Sequence, residues 1–197
     1  MFKKILIANR GSIGARIART CREMGIATVA LYNEPDHGSL HVRLSDECVQ
    51  IESAADLFDI ELILEIARQK GADAIHPGIG FLAEEADFIR ACEASGIYFI
   101  GPPSDVVESL RDKIATQETV QSGGFATPQH SPNQFGTQDF AAVEVAAEEL
   151  GYPIIIKSCS GGRGRGERLA FSPGHLQEAV RQAQAISQAV YGLSLIH

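Results

Sequence analysis

The chain has 197 residues, enough for one large domain or two small ones. Hydrophobic residues make up 45% and charged residues 21%, which predicts a packed core and excludes intrinsic disorder. The net charge of -8 works against non-specific nucleic-acid binding, and no apolar run is long enough to span a membrane, so we expect neither partner. The four cysteines are scattered, without CxxC or a histidine at metal-ligand spacing, which predicts buried reduced thiols, no metal site and a cytoplasmic location.

Strand-like and helix-like segments alternate in the first part of the chain. Strands are predicted at Ile5–Ala8, Ala27–Leu31, Val49–Ile51, Asp73–His76 and Ile97–Ile100. Helices are predicted between Gly11 and Gly25, at Ile60–Lys70 and at Glu84–Ser95. Strands separated by such helices form βαβ units, so the sequence predicts an α/β fold with a parallel sheet. The loops that follow the strands then share one edge, where open sheets bind ligands.

The pattern changes near Lys113. Helices are predicted at Lys113–Ser122, Phe140–Leu150 and Leu176–Val190. Two strands, Ile154–Lys157 and Glu167–Phe171, enclose a glycine-rich loop, which predicts an antiparallel hairpin instead of a crossover. We therefore expect one domain at residues 1–112 and a second at residues 113–197.

The glycine-rich loop is the strongest candidate for chemistry. Its candidate ligand-binding residues are Lys157, Gly161, Gly162, Arg163, Gly164, Arg165 and Gly166. Glycines let the backbone bend sharply, and successive free N–H groups form a concavity that binds anions. The lysine precedes the glycines and a strand follows, so this is not the P-loop pattern. The sequence predicts phosphate binding here; the alternative is an exposed hairpin without a ligand.

Two loops after predicted strands are weaker candidates. Residues 9–14 have glycines at G-x-x-G spacing, which only superficially resembles a dinucleotide fingerprint; the alternative is a tight turn with Ser12 as the helix cap. His76 ends a strand and is either a simple hydrogen-bonding residue or part of a ligand site, where Gly78 and Gly80 allow close approach of a ligand to the backbone. Lys113, judged alone, is typical of a solvated surface charge.

Together these segments resemble the biotin carboxylase family of ATP-grasp enzymes. The stretches that carry the resemblance are KILIANRG at residues 4–11, HVRLSDE at 41–47, AIHPGIGFL at 74–82, FIGP at 99–102, Asp112-Lys113 and GYPIIIK at 151–157. They occur in the family's order from residue 2 to about residue 190. The combination is specific, although no single stretch is.

The resemblance implies a Rossmann-like preATP-grasp domain followed by the start of an incomplete ATP-grasp domain with its lid subdomain. It implies that ATP phosphorylates bicarbonate and that the resulting carboxyphosphate delivers CO2 to biotin on a carrier protein. Lys113 and Lys157 would contact the nucleotide phosphates, and the glycine loop would be the lid that excludes water. The residues near the biotin and bicarbonate end would be His76, Gly78, Ile79, Gly80 and Glu84.

The resemblance also implies cofactors and partners. ATP, Mg²⁺ and carrier-bound biotin are the expected ligands, and a biotin carboxyl carrier protein and a carboxyltransferase are the expected partners. The first helix, with Arg19 and Glu23, resembles a homodimer contact of bacterial members. Three residues depart from the family: Ile79 replaces a usual Tyr, Arg163 a usual Gly, and Glu167 a usual Met, which places an extra carboxylate near phosphates.

No catalytic residue is expected within this chain, because the family's Mg²⁺ ligands and its bicarbonate- and biotin-binding residues come after the lid. The last six residues, GLSLIH, do not resemble the family. We therefore expect a truncated gene product that binds Mg-ATP weakly or undetectably and has no bicarbonate-dependent ATPase activity alone. Alternatives are another ATP-grasp ligase, such as a carbamoyl-phosphate synthetase-like enzyme, and a non-catalytic nucleotide-binding or dimerisation module. The final carboxyl acceptor is not encoded here.

Overall fold

A computed structural model of the chain describes residues 1–159, 166–191 and 196. The chain divides into two compact units, Met1–Glu108 and Ser109–His197, called unit 1 and unit 2 below. None of the helices in the described ranges is both long and apolar enough to cross a bilayer.

Unit 1 is built on a five-stranded sheet. Its strands are β1 (Lys4–Ile7), β2 (Ala27–Tyr32), β3 (Glu47–Gln50), β4 (Ala74–His76) and β5 (Tyr98–Phe99). They are hydrogen-bonded in the order β3-β2-β1-β4-β5, and every neighbouring pair is parallel. The predicted α/β fold with a parallel sheet is therefore confirmed. The loops after β1, β2 and β4 meet at the carboxyl edge, as the crossover rule requires.

The helices of unit 1 are α1 (Gly11–Glu23), α2 (Leu40–Leu44), α3 (Ile60–Gln69), α4 (Ala86–Ala94) and α5 (Ser104–Ser109), with single 3-10 turns at Glu34–Asp36, Ala54–Phe58 and Phe81–Glu84. Sequence signals explain the ends of α3. The Asp59 Oδ1 accepts a hydrogen bond from the Leu62 N–H at 3.0 Å and so caps the helix start. Gly71, at φ +64°, ends it in the left-handed conformation.

Both faces of the sheet are covered. Ile5 and Ile7 of β1 pack in the cluster that contains α1, whereas Leu6 between them packs in the cluster that contains α3 and α4. Successive strand residues point to opposite faces, so a strand between two helical layers is apolar throughout. This explains the continuous apolar run of β1.

Several details of the sequence prediction are wrong. Ser12 does not cap α1, because that helix already begins at Gly11 and its N-cap position is Arg10. The helix predicted to begin at Glu84 begins at Ala86, after a 3-10 turn that Gly80 introduces at φ +135°. The short helix α2 was not predicted. Cys48 is exposed on the edge strand β3, whereas the other three cysteines are buried.

Unit 2 contains α6 (Lys113–Ser122), α7 (Phe140–Leu150), β6 (Ile154–Ile156), β7 (Arg168–Ala170) and α8 (Pro173–Tyr191) within its described residues. Strands β6 and β7 are antiparallel, so the predicted hairpin is confirmed. Ile156 and Ala170 face the core with α8, while their neighbours Ile155 and Leu169 lie directly opposite each other on the exposed face. Ile196 also packs into this core and bridges Phe135 and Ser158.

Candidate functional site

Unit 2 contains an open cavity of about 640 Å³. Its wall is built by α6, the connector around residues 128–135, α7 and β6. Lys113 and Lys157, which are 44 positions apart in the sequence, both line it. The described residues of the wall are otherwise mostly apolar and include no Asp or Glu. A mostly apolar concavity with a few placed polar groups is typical of a small-molecule site.

The cap of α6 fixes the position of Lys113. The Asp112 Oδ1 accepts hydrogen bonds from the N–H groups of Ile114 and Ala115, at 2.8 and 3.0 Å. Its Oδ2 accepts from Gln134 Nε2 at 2.8 Å, so both carboxylate oxygens are engaged. Lys113 is the first residue of the helix that this cap starts, and its Nζ donates to the Cys159 carbonyl at 3.4 Å. The ammonium therefore reaches across to the chain that leaves β6.

Lys157 reaches the same place from the end of β6. Its Nζ lies 3.5 Å from Glu167 Oε1, and the two side chains are 37% and 40% exposed. Burial lowers the pKa of Lys113, and the nearby Lys157 ammonium acts in the same direction. Burial also raises the pKa of the Cys159 thiol to about 11, so that this sulfur is neutral near pH 7. The cluster thus carries two ammonium groups and the Glu167 carboxylate, and the Asp112 carboxylate also acts on Lys113.

Sequence patterns did not single out the apolar part of this site. Ile155 and Leu169 are 52% and 54% exposed, although both are large aliphatic residues. Ile155 lines the cavity two positions before Lys157, on the same face of the hairpin. Gln117 also lines it, and the buried Gln117 Oε1 has no hydrogen-bond partner among the described residues. A ligand with a flat apolar part and a donor group matches this wall.

The predicted lid lies largely outside the described residues. Gly161, Gly162, Arg163, Gly164 and Arg165 all belong to that part. Gly166 is described and has φ +82°, a conformation that favours glycine where the chain turns back into β7. The phosphate-binding prediction for the loop itself therefore stays a prediction.

The turn after β4 in unit 1 is held by Asn9. The Asn9 Nδ2 donates to the carbonyls of Pro77 and Ile79 at 2.7 and 3.0 Å, and its Oδ1 accepts from the Arg10 N–H. A Cβ at Gly78 would lie 2.7 Å from Asn9 Nδ2, and Gly78 has φ +67°. Glycine is thus needed here for close packing of two loops as well as for its conformation.

The other predicted residues of this turn are also in unit 1. His76 is half-buried, its Nδ1 accepts from the Gly78 N–H at 3.0 Å, and burial lowers its pKa. Ile79 and Glu84 are exposed, and Gly80 has φ +135°. Phe58 and Phe81 form an edge-to-face pair, with ring centroids 5.3 Å apart, beside this turn. The structure therefore shows His76 in a local hydrogen bond, and its role toward a ligand stays a prediction.

The start of α1 is filled by a side chain of the protein itself. His41 has no exposed surface; its Nδ1 lies 3.3 Å from the Gly11 nitrogen and its Nε2 lies 3.2 Å from the Leu31 carbonyl oxygen. The Gly11 N–H donates to Nδ1, and the Leu31 carbonyl oxygen accepts from Nε2. These two contacts assign the neutral tautomer that carries its proton on Nε2. The backbone N–H of Gly11 that a dinucleotide phosphate would need is already engaged. This contradicts the dinucleotide-binding alternative for residues 9–14.

Known proteins match both units. Residues 1–107 match the family described as biotin carboxylase, N-terminal domain, and residues 112–197 match the ATP-binding domain of the carbamoyl-phosphate synthase L chain. Biotin carboxylase 1 of Bacillus subtilis is 40% identical over 195 residues, covering 98% of this chain and 43% of that protein. The alpha subunit of mitochondrial methylcrotonoyl-CoA carboxylase from Glycine max is 39% identical, covering 98% of this chain and 27% of that protein.

The fold agrees with these relatives. The crystal structure of the biotin carboxylase domain of Hydrogenobacter thermophilus 2-oxoglutarate carboxylase, a dimer in complex with MgADP, ADP and bicarbonate, superposes with a TM-score of 0.93 at 39% identity. The match covers all of this chain and 43% of the H. thermophilus chain. The chain belongs to the biotin carboxylase family, as its sequence motifs predicted. It spans less than half the length of these relatives.

Proposed function

We propose that unit 2 binds the phosphate groups of ATP through Lys113 and Lys157. As part of a biotin carboxylase, the chain then contributes to the ATP- and bicarbonate-dependent carboxylation of biotin on a carrier protein. One observation carries the proposal: two ammonium groups from separate elements line one cavity that contains no described carboxylate in its wall. Fixed cations of this kind stabilise the charge of a phosphoryl group and hold it in place.

The surroundings of the lysines support a nucleotide over a simple inorganic anion. Ile155 supplies an exposed aliphatic surface beside Lys157, which suits the flat apolar face of a purine. The free Gln117 Oε1 suits an amino donor on such a ring. The cavity's volume of about 640 Å³ is in the range of small-molecule sites, roughly 300–1,000 Å³.

Magnesium and biotin are less directly supported. Among the described residues, no three His, Cys, Asp or Glu side chains lie close enough together to hold a metal ion. We therefore assign no Mg²⁺ ligand in this chain and derive no step through the metal. When bound, the ion would neutralise phosphate charge beside the two lysines. For biotin and bicarbonate, we propose His76, Gly78, Ile79, Gly80 and Glu84 as nearby residues, on the family resemblance alone.

The same resemblance supports the remaining proposals about domains and partners. We propose a nucleotide-binding part that begins at Lys113, the first residue of α6, and a preATP-grasp part at residues 1–112. The proposed partners are a biotin carboxyl carrier protein and a carboxyltransferase. Arg19 and Glu23, both exposed on α1, are proposed to contribute to a homodimer contact. A structure of the H. thermophilus relative is described as a dimer, which supports this proposal.

The family matches favour a carboxylase over another ATP-grasp ligase. The match of residues 112–197 to a carbamoyl-phosphate synthase domain supports nucleotide binding in either class of enzyme. Residues 1–107 match the family described as biotin carboxylase, N-terminal domain, which favours the carboxylase.

The test is a titration of the 197-residue chain with ATP and, separately, with sodium tripolyphosphate, followed by amide chemical shifts in NMR. We expect shifts near Lys113 and Lys157, with dissociation constants weakened about tenfold or more by either Lys113→Met or Lys157→Met, because each removes a charge-assisted contact. Lys70→Met is the matched control. Lys70 is a similarly exposed lysine that pairs with Glu47 in unit 1.

The outcomes separate clearly. Shifts confined to unit 1, or equal losses for all three lysine variants, would contradict the proposed site. An absence of any shift with tripolyphosphate at millimolar concentrations would contradict it as well.

A further inference from the structure

The cation cluster of unit 2 contains an acidic side chain of its own. Glu167 Oε1 lies 3.5 Å from Lys157 Nζ. The strand register explains why they meet. Ile155 lies opposite Leu169 and Ile156 opposite Arg168, so the next positions outward are Lys157 and Glu167. Residues directly opposite each other on one face of an antiparallel pair interact most strongly.

We propose that Glu167 is a built-in competitor that occupies Lys157 and lowers the affinity of this site for polyphosphate groups. The inference rests on the proposed function of Lys157. A phosphate that binds the ammonium competes with the carboxylate for its N–H donors, and the carboxylate stays nearby as a like charge. Both effects weaken the binding of an anion without altering the shape of the site.

The role falls to Glu167 because the other nearby carboxylate, Asp112, is engaged in hydrogen bonds of its own. Asp112 uses both of its oxygens in the cap of α6 and in the bond to Gln134. Arg168, next to Glu167, donates to Gln182 Oε1 and to the Glu167 carbonyl, not to the Glu167 carboxylate, in the contacts that the structure describes. Among the described residues, Lys157 is therefore the cation that pairs with the Glu167 side chain across the hairpin.

The expected size of the effect follows from exposure. About two-fifths of each side chain is accessible to water, so solvent and salt screen the pair. Such a pair reduces ligand affinity modestly and does not close the site. Removing the Glu167 charge should tighten tripolyphosphate binding by roughly threefold to tenfold at low salt, and by less at high salt.

The experiment is a tripolyphosphate titration of the 197-residue chain, of the Lys113→Met and Lys157→Met variants described above, and of three further variants. Glu167→Gln removes the charge and keeps the shape. Glu178→Gln is the control, because it makes the same charge change on α8. There Glu178 Oε1 forms an ion pair with Arg181 Nη2 at 2.7 Å. Glu167→Gln in a Lys157→Met background measures how far the gain depends on Lys157. Amide spectra of each variant establish that it is folded.

We expect Glu167→Gln to bind more tightly, Glu178→Gln to bind within about twofold of the parent, and the gain to shrink when Lys157 is absent. Equal gains for the two glutamine variants would assign the effect to net charge and overturn the inference. No gain for Glu167→Gln, with Lys157→Met still weakening binding, would overturn the inference and leave the proposed function intact. If Lys113→Met and Lys157→Met both bind as the parent does, the proposed function itself fails.

Discussion

The two units use polar residues in opposite ways. At the carboxyl edge of the sheet in unit 1, Asn9 and His41 satisfy the backbone groups that a ligand would otherwise meet. In unit 2, Lys113 and Lys157 line an open cavity, and Gln117 Oε1 is left without a partner among the described residues. The described polar groups at the edge of unit 1 thus make internal contacts, while unit 2 contains the open cavity.

The largest expected effect tests whether the edge of unit 1 is structural. His41→Ala removes a fully buried ring and leaves the Gly11 N–H and the Leu31 carbonyl without their partner. We expect a loss of about 3 kcal/mol in the free energy of unfolding, from the cavity and the unpaired groups together. Urea unfolding measures this loss. Hydrogen exchange should accelerate mainly in peptides from residues 1–108, and acceleration confined to residues 109–197 would contradict the comparison.

Gly78 tests the contact between the two loops of that edge. Gly78→Ala places a methyl group against Asn9 and Ile13 at a positive φ, and we expect a loss of about 2–3 kcal/mol in unfolding free energy. Gly71→Ala is the matched control, since Gly71 has a similar φ of +64° but nothing within 4 Å of the added Cβ. It should cost only about 1 kcal/mol. Equal losses of unfolding free energy for Gly78→Ala and Gly71→Ala would mean that the loops containing Asn9 and Gly78 move apart at little cost.

Each unit has a helix capped by an aspartate, so the same substitution can be made in both units. Asp59 caps α3 in unit 1 and Asp112 caps α6 in unit 2, each through a carboxylate oxygen that accepts from backbone N–H groups. Asp59→Ala and Asp112→Ala should each cost about 1 kcal/mol of stability in urea unfolding. Only Asp112→Ala should also alter tripolyphosphate binding, because Lys113 begins the helix that it caps and the Asp112 carboxylate acts on Lys113. Weaker binding in both variants would show that global stability limits the site.

The smallest effect concerns His76 and pH. Burial lowers its folded-state pKa, so as the pH falls below the ordinary histidine value the unfolded chain takes up the proton first. The His76 contribution therefore reduces stability as the pH falls from about 7.5 to about 5.5. Urea unfolding at both pH values should show a smaller loss in His76→Gln than in the parent chain. An equal or larger loss in the variant would contradict the burial of a neutral His76.

Long regular elements were predictable from local pattern. The helices α6 and α7 begin and end where the sequence predicted, and Gly123 and Gly151 follow their last residues. The strand β3 was misplaced by two residues at its start, since Cys48 and Val49 give too short a pattern to set its register. The helix α2 has five residues, which is less than two turns, so no helical period is visible in its sequence.

The site was predictable only in part. The family resemblance named Lys113 and Lys157 as candidates, and that role stays a prediction; the sequence gave no means to see that the Lys113 ammonium reaches the Cys159 carbonyl, because that contact joins residues 46 positions apart. It flagged Glu167 as unfavourable for phosphate without showing that Lys157 is its partner. Asn9 was noted only as part of a motif, although its side chain links residues 68 to 70 positions away. Long-range contacts of this kind depend on the tertiary structure of each unit.

The strand order has a consequence for how the chain is made. Of the five strands of this sheet, β1 is synthesised before the others, and it lies in the middle of the sheet, between β2 and β4. One edge of β1 is unpaired until β2, at residues 27–32, has been synthesised. The other edge is unpaired until β4, at residues 74–76, has been synthesised. An apolar strand with an unpaired edge is the segment that chaperones and aggregating partners recognise. Codon changes that slow translation between β2 and β4 should therefore lower the soluble yield more than the same changes placed after β5.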